Sequence, residues 1–108
     1  MNYREEVLRT ANEGNSSWLG KLGMGGMGLA GEAGEVCDLL KKTIFHNKDL
    51  DREELVKELG DLRWYMEYLM IVTDITMEEV EQRNVEKLRA RYPDGFTTQA
   101  SIERKDEK

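Results

Sequence analysis

Two stretches of this sequence place paired carboxylates inside apolar stripes that have the spacing of a helix. In residues 28–42, GLAGEAGEVCDLLKK, Glu32 and Glu35 stand three positions apart. The segment ELGDLRWYMEYL repeats this arrangement with Glu58 and Asp61. The apolar residues around both pairs recur every three or four positions, which favours helices over strands. Both segments are therefore predicted to be helices that carry acids on or beside a buried face.

The position of these acids on a helical wheel predicts a metal site. At about 100° per residue, Glu32 falls within the apolar arc of its helix and Glu35 falls at its edge. Glu58 and Asp61 fall within the apolar arc of theirs. Buried carboxylates are neutralised, paired or bound to a metal, and four that converge would repel one another without cations. Oxygen ligands of this kind favour Mg²⁺ or Mn²⁺, although a solvated acidic face is the common alternative for such a pattern.

Capping signals and breakers predict four helices, at about residues 3–11, 29–45, 51–72 and 76–91. Asp51 with Glu54, and Thr76 with Glu79, resemble capping boxes that open the third and fourth helices. Pro93 ends the fourth helix. The glycine-rich stretch WLGKLGMGGMG is expected to be a flexible connector or an active-site flap before the second helix. The short link HNKDL predicts that the second and third helices pack antiparallel, with their acid pairs at similar depth.

Length and the helical pattern indicate one all-α domain, a four-helix-type bundle over residues 1–96, followed by a polar tail over residues 97–108 that is loose or dependent on a partner. No apolar run is long enough to cross a bilayer, and the first ten residues contain no apolar signal core. The lone Cys37 has no partner for a disulfide or a zinc site and lies on the apolar arc, so it is expected in the core. A cytoplasmic location is expected.

The net charge of −6 is concentrated in the middle of the chain. Residues 51–80 contain nine acids and three bases, which gives −6, so the rest of the chain sums to zero. Binding to a nucleic-acid backbone requires clustered Lys and Arg, which this distribution does not provide. The acidic middle is suited to cations instead, and no nucleic-acid or membrane partner is expected.

The fourth predicted helix places polar side chains beside apolar ones. Asn84 lies within its apolar stripe, with Lys87 and Arg91 at the edge. These cations are either ion-pair partners for the acids or ligands for an anionic substrate such as a phosphate. On the third helix, Trp64 and Ile71 form a second apolar face, which predicts a subunit interface.

Three sequence blocks together resemble the MazG-like, all-α nucleoside triphosphate pyrophosphohydrolases. The blocks are GLAGEAGEVCDLLKK, ELGDLRWYM and NVEKLRARYPDGF, and the resemblance covers about residues 29–96. It implies a Mg²⁺-dependent enzyme that converts a nucleoside triphosphate to a nucleoside monophosphate and pyrophosphate. The implied metal ligands and catalytic acids are Glu32, Glu35, Glu58 and Asp61.

The same resemblance implies further roles. Asn84 and Lys87 match an Asn-x-x-Lys motif that contacts substrate, and Arg91 and Tyr92 are less direct helpers. The resemblance also implies a homodimer or homotetramer with active sites near subunit contacts. One departure concerns Gly31, because many members have an additional acid at this position. That departure leaves the identity of the general base open.

Two other functions remain open on the sequence alone. One is a non-catalytic helical interaction module that docks through its acidic face. The other is an enzyme of the same fold that is specific for dUTP or dCTP. No base-specific pocket is evident in the sequence, and Trp18, Tyr65 or Tyr68 could each stack on a nucleobase.

Overall fold

A computed structural model describes residues 2–107, and the protein is all-α, as predicted. No described residue belongs to a β-strand. Among these residues, no helix combines the length and the hydropathy that a membrane span requires. The helices are α1 (Tyr3–Thr10), α2 (Trp18–Phe45), α3 (Arg52–Val72), α4 (Met77–Arg91) and α5 (Thr98–Glu103), and a final 3₁₀ turn covers Lys105–Glu107.

Side-chain caps begin the helices where the sequence predicts them. The Asp51 carboxylate accepts a hydrogen bond from the Glu54 backbone N–H at 3.1 Å, and α3 begins at the next residue. The Thr76 hydroxyl accepts from the Glu79 N–H at 3.2 Å at the start of α4. Each cap satisfies an N–H group that has no partner within its helix. The predicted starts of α3 and α4 are therefore confirmed.

The prediction of a flexible, non-helical segment before the second helix is wrong, because α2 begins at Trp18 and includes the whole glycine-rich stretch. Glycine weakens an isolated helix, so tertiary packing must compensate. Gly25 is buried, and a Cβ there would stand 3.2 Å from a Leu69 methyl group. A Cβ on Gly28 would overlap the aromatic ring of Tyr65. These glycines allow α3 to approach the α2 backbone closely, and this packing keeps the segment helical.

Helices α2 and α3 pack antiparallel, as predicted. Three pairs of residues meet along the interface: Gly25 with Leu69, Gly28 with Tyr65, and Glu32 with Asp61. The residue number rises along α2 while it falls along α3, which defines opposite directions. This register brings the acids of the two helices to the same depth.

Helix α1 is fastened to α3 by a buried ion-pair network. The Glu67 side chain is 5% exposed, accepts a hydrogen bond from Arg4 at 2.6 Å and forms an ion pair with Arg63 at 2.8 Å. Burial raises the pKa of Glu67, but the two guanidinium groups more than offset this effect and leave the pKa below its ordinary value. Val7 of α1 is fully buried. Apolar burial and paired charges therefore both hold α1 in place.

The face of α3 that was predicted to form a subunit interface is partly covered within the chain. The Trp64 indole N–H donates to the Thr10 hydroxyl of α1 at 2.9 Å, and both Trp64 and Ile71 are half-buried. The sequence did not reveal that α1 packs on this face. The prediction that Cys37 lies in the core is also wrong, because Cys37 is exposed.

The chain divides into two compact units, Met1–Asp74 and Ile75–Lys108. In the second unit, α5 and the 3₁₀ turn contact α4. Arg91 forms a bidentate pair with the Asp106 carboxylate, at 2.6 and 2.8 Å. Residues 98–103 and 105–107 are therefore ordered as helical turns rather than loose, while Lys108 lies outside the described residues. The boundary between a domain of residues 1–96 and a tail stays a prediction.

The close approach at Gly28 predicts opposite effects for two alanine substitutions in one helix. Gly28→Ala should lower the free energy of unfolding by about 1–3 kcal/mol, because the new methyl group must displace Tyr65. Gly26→Ala is the matched control: it meets nothing within 4 Å and should stabilise the protein by up to about 1 kcal/mol through helix propensity. Urea unfolding followed by circular dichroism measures both changes. Equal effects would contradict the packing explanation.

The Glu67 network predicts a pH-dependent contribution to stability. Because the folded-state pKa is lowered, the stabilisation is complete above the unfolded value of about 4.3 and is lost as the pH falls through the folded value. Glu67→Gln should lower the free energy of unfolding at neutral pH by about 1.5–3 kcal/mol. The difference from the parent protein should shrink in acid.

Urea unfolding of both proteins at about pH 7 and about pH 3 tests this expectation. Glu6→Gln is the control, because its pair with Arg9 is exposed and should contribute much less. A Glu67→Gln deficit that stays constant between the two pH values would show that the charge of Glu67 is not its source.

Candidate functional site

Three of the four predicted acids meet between α2 and α3. Glu32 of α2 and Glu58 and Asp61 of α3 each offer a carboxylate oxygen, and these oxygens all lie within 4.8 Å of one another. Glu58 and Asp61 share one face of α3 because they are three residues apart. The antiparallel register then brings Glu32 opposite them. We call these three residues the acidic cluster.

Glu35, the fourth predicted acid, is exposed and is not part of the acidic cluster. It still acts on the cluster electrostatically, because its charge contributes to raising the pKa of Glu58. It stands less than one helical turn from Glu32 on α2. The structure therefore brings three predicted ligands together and leaves the fourth nearby.

Loss of hydration and repulsion among carboxylates both act on the acidic cluster. Loss of hydration raises the pKa of Glu58, and the neighbouring charges of Glu32 and Asp61 raise it further. Among residues 2–107, no Lys or Arg forms an ion pair with the cluster. This contrasts with Glu67, whose two Arg partners lower its pKa. The acidic cluster is thus a negative site that a cation would stabilise.

The chemistry of the acidic cluster fits a hard divalent cation. All of its donors are carboxylate oxygens, which Mg²⁺ and Mn²⁺ prefer over nitrogen or sulfur. Mg²⁺ is usually held by one or two carboxylates together with water and substrate phosphates, so three acids near one another are sufficient. Cys37 and His46 lie outside the cluster, which leaves an oxygen-only donor set.

A cavity of about 440 Å³ adjoins the acidic cluster. Its walls include two of the cluster's acids together with polar, thioether and aromatic side chains: Thr10, Asn12, Met24, Glu32, Asp61, Trp64 and Tyr65. This volume is within the range of small-molecule sites. The sequence interpretation missed Asn12 and the role of Trp64 here. The available signal was the spacing of Trp64 and Tyr65, three and four residues after Asp61.

The other predicted site residues lie in the second compact unit. Asn84 and Lys87 are exposed on α4 and one turn apart. The Arg91 guanidinium is engaged by Asp106, and this hydrogen bond raises the pKa of Arg91 above its ordinary value. The Tyr92 ring packs at 5.6 Å from the Phe96 ring. Asn84 and Lys87 therefore remain accessible, whereas Arg91 and Tyr92 make contacts within the unit.

Comparison with known proteins identifies similar sequences. Residues 26–96 match the MazG nucleotide pyrophosphohydrolase domain, a region that contains all eight predicted site residues. The Gene 37 protein of Mycobacterium phage L5 is 42% identical over 66 residues, which cover 56% of this chain and 57% of that protein. The chain thus matches little more than half the length of this relative. No solved structure shows a significant match.

The acidic cluster predicts that divalent cations stabilise the fold. Mg²⁺ at 100 times its dissociation constant should raise the free energy of unfolding by about 2.7 kcal/mol. Asp61→Asn should remove most of this gain, and without metal it should be at least as stable as the parent protein because repulsion is relieved. Thermal unfolding with Mg²⁺, with Mn²⁺ and with a chelator measures the effect.

Asp38→Asn is the matched control for this experiment. Asp38 lies on α2 outside the acidic cluster, in an exposed pair with Lys41, so its substitution should leave the metal-induced shift intact. An Asp61→Asn protein that keeps the full shift would show that the cation binds elsewhere.

Proposed function

Because the chain belongs to the MazG nucleotide pyrophosphohydrolase domain family, we propose that it hydrolyses nucleoside triphosphates to a nucleoside monophosphate and pyrophosphate in the presence of Mg²⁺. Water attacks the α-phosphorus, and the bond to the bridging oxygen between the α and β phosphorus atoms breaks. Ribonucleotides and deoxyribonucleotides are both proposed substrates. Mn²⁺ is the proposed substitute for Mg²⁺.

The observation that carries this proposal is the acidic cluster beside a substrate-sized cavity. Glu32, Glu58 and Asp61 have no cationic partner among the described residues, and loss of hydration together with their mutual repulsion raises the pKa of Glu58. Acids that serve only solubility are expected to be spread over the surface rather than concentrated between two packed helices. A cation and the triphosphate bound to it would account for both the charge and the cavity.

We assign the metal-binding and catalytic acids to Glu32, Glu35, Glu58 and Asp61. The acidic cluster would hold Mg²⁺ directly. Glu35 is included in the assignment because its charge acts on Glu58. When bound, Mg²⁺ supplies Lewis-acid polarisation of a phosphoryl oxygen and neutralises developing negative charge. The carboxylates would set the position of the triphosphate by holding the cation to which it binds, and their negative field favours the cation-bound form of the substrate over the free anion.

On α4 we assign the main substrate contacts to Asn84 and Lys87. Both are exposed, and an ammonium group is well suited to a phosphate oxygen. Arg91 makes two hydrogen bonds to the Asp106 carboxylate, so it would contact a phosphate only after releasing Asp106. Arg91 and Tyr92 are therefore proposed as secondary contributors that position the end of α4.

We further propose a homodimer or homotetramer located in the cytoplasm. Exposed large apolar side chains on the first unit, such as Met27, Ile44 and Phe45, are available for contacts between copies. Trp64 is less available for such contacts than the sequence predicts, because α1 covers part of its face. The non-catalytic docking module receives less support, because its acids would have no reason to converge beside a cavity.

A pair of substitutions tests the proposed chemistry. Glu58→Gln preserves the shape of the side chain and removes a charge that the cation needs, so pyrophosphate release should fall by orders of magnitude. Lys87→Ala should mainly raise KM for the triphosphate and leave the metal-induced thermal shift intact, because Lys87 is not in the acidic cluster. A panel of NTPs and dNTPs with Mg²⁺, scored by pyrophosphate release, is the measurement.

Glu81→Gln provides the control for the loss of one exposed glutamate outside the acidic cluster, and it should keep full activity. Full activity of Glu58→Gln, or no pyrophosphate release by the parent protein from any nucleotide, would refute the proposed function. Selection of dUTP or dCTP alone would instead favour the base-specific alternative.

A further inference from the structure

The 3₁₀ turn after α5 holds a carboxylate against the face of α4 that carries the assigned substrate contacts. We propose that this turn, Lys105–Glu107, is an autoinhibitory segment: its Asp106 carboxylate occupies the place of a substrate phosphate on Arg91 and must leave before a triphosphate binds there. The inference rests on the proposed function, because that function assigns Arg91 to the substrate. All of the residues involved belong to the second compact unit.

One face of α4 carries the three polar side chains that are assigned to the substrate. Asn84, Lys87 and Arg91 follow one another at spacings of three and four residues, so they form a stripe along the helix. Asp106 lies at the end of this stripe. The hydrogen bonds from Arg91 lower the pKa of Asp106, and the positive charge of Lys87 lowers it further. The carboxylate is therefore attracted by both cations that the proposed function gives to phosphate oxygens.

The Arg91–Asp106 pair has the geometry with which a guanidinium group binds a phosphate. The Arg91 Nε and one terminal nitrogen donate to different carboxylate oxygens, at 2.6 and 2.8 Å. The planar fork of arginine makes the same bidentate contact with carboxylates and with phosphates. Because Asp106 uses these two donors, a phosphate can take them only by displacing it. The Arg91 side chain is 15% exposed while the pair is formed, so little of it is accessible to a ligand.

Charge, rather than apolar packing, holds the turn on α4. The Lys-Asp-Glu sequence of the turn contains no apolar residue, and the preceding Ile102 is 71% exposed. The Asp106 side chain is 3% exposed, whereas Lys105 and Glu107 are exposed. Glu107 adds a longer ion pair with Arg91, at 3.6 Å. A more highly charged anion can compete with such an attachment, because electrostatic attraction increases with the charge of the anion.

The connection between α5 and the turn also favours release. Arg104 lies between them with φ 49° and ψ 57°, in the left-handed region that is unfavourable for a residue with a Cβ. Its side chain pairs with Glu107 at 3.0 Å, and the Glu107 N–H donates to its carbonyl oxygen at 2.9 Å. These contacts keep the turn folded while it lies on α4. Release of the turn lets Arg104 return to an ordinary backbone conformation, which offsets part of the cost of breaking the Arg91–Asp106 pair.

The proposal makes triphosphate binding an exchange between two anions, which predicts a gain of affinity when Asp106 loses its charge. The apparent affinity for a ligand is reduced by the fraction of molecules in which its site is open. Asp106→Asn keeps the size of the side chain and replaces charge-assisted hydrogen bonds by weaker neutral ones. KM for the triphosphate should therefore fall by about threefold to tenfold. If Asp106 only positioned Arg91 for the substrate, KM would rise instead.

Asp94→Asn is the matched control for this measurement. It removes one negative charge from an exposed position of the same compact unit and should leave KM unchanged. Both substitutions are then repeated in an Arg91→Gln background, where Asp106 no longer has its bidentate partner. In that background Asp106→Asn should not lower KM. A decrease that persists without Arg91, or that Asp94→Asn reproduces, would show a long-range effect of charge and overturn the proposal.

Nuclear magnetic resonance of the parent protein tests the exchange without substitution or turnover. The probe is α,β-methylene-ATP with Mg²⁺, a triphosphate analogue in which a carbon bridge replaces the oxygen of the bond to be hydrolysed. Saturation should shift the Arg91 Nε–H resonance and accelerate hydrogen exchange of the Glu107 amide, which is hydrogen-bonded within the turn. Both responses without pyrophosphate release from any triphosphate would overturn the proposed function and support the autoinhibitory segment. Absence of both responses would overturn the autoinhibitory segment, and pyrophosphate release by the same protein would leave the proposed function standing.

Discussion

The close approach of α2 to α3 is the interaction on which the first compact unit depends. Gly25 and Gly28 have no side chain, so Leu69 and Tyr65 can lie directly against the α2 backbone. The antiparallel register fixed by these contacts places Glu32 opposite Glu58 and Asp61. A larger residue at Gly28 would separate the helices where the acidic cluster needs them close. Packing in the core and chemistry at the site therefore originate from the same helix interface.

Two groups of carboxylates on α3 show how one helix can serve stability and function separately. Glu67 is buried, is paired with Arg4 and Arg63 and has a lowered pKa, so its charge stabilises the fold. Glu58 is surrounded by other acids and has a raised pKa, so its charge opposes the metal-free fold. Removal of a partner from Glu67 would leave a costly buried charge, whereas a cation would relieve Glu58. The difference lies in the partners and not in the residue type.

The sequence predicted local features well and missed those that depend on distant residues. The caps at Asp51 and Thr76 act within three residues, and the helix periodicity around the acids is equally local, so both could be read directly. The helical state of the glycine-rich stretch depends on Tyr65 and Leu69, more than thirty residues away, so propensity alone gave a connector. The exposure of Cys37 and the packing of α1 on Trp64 likewise require knowledge of which helices meet. The cavity involves both α1 and α3, which explains why Asn12 carried no signal in the sequence.

Tyr65 takes part both in the packing of α2 against α3 and in the cavity. Its side chain contacts the α2 backbone and also lines the cavity beside the acidic cluster. Its ring position is fixed by the absence of a Cβ at Gly28 on one side and by the edge of Trp64 on another. A change at Gly28 would therefore alter stability and the cavity wall together. A change at Glu67 would act on the attachment of α1, which contacts the cavity wall through the hydrogen bond between Thr10 and Trp64. Comparing ligand binding with stability at these two positions separates residues that shape the site from those that only hold the helices together.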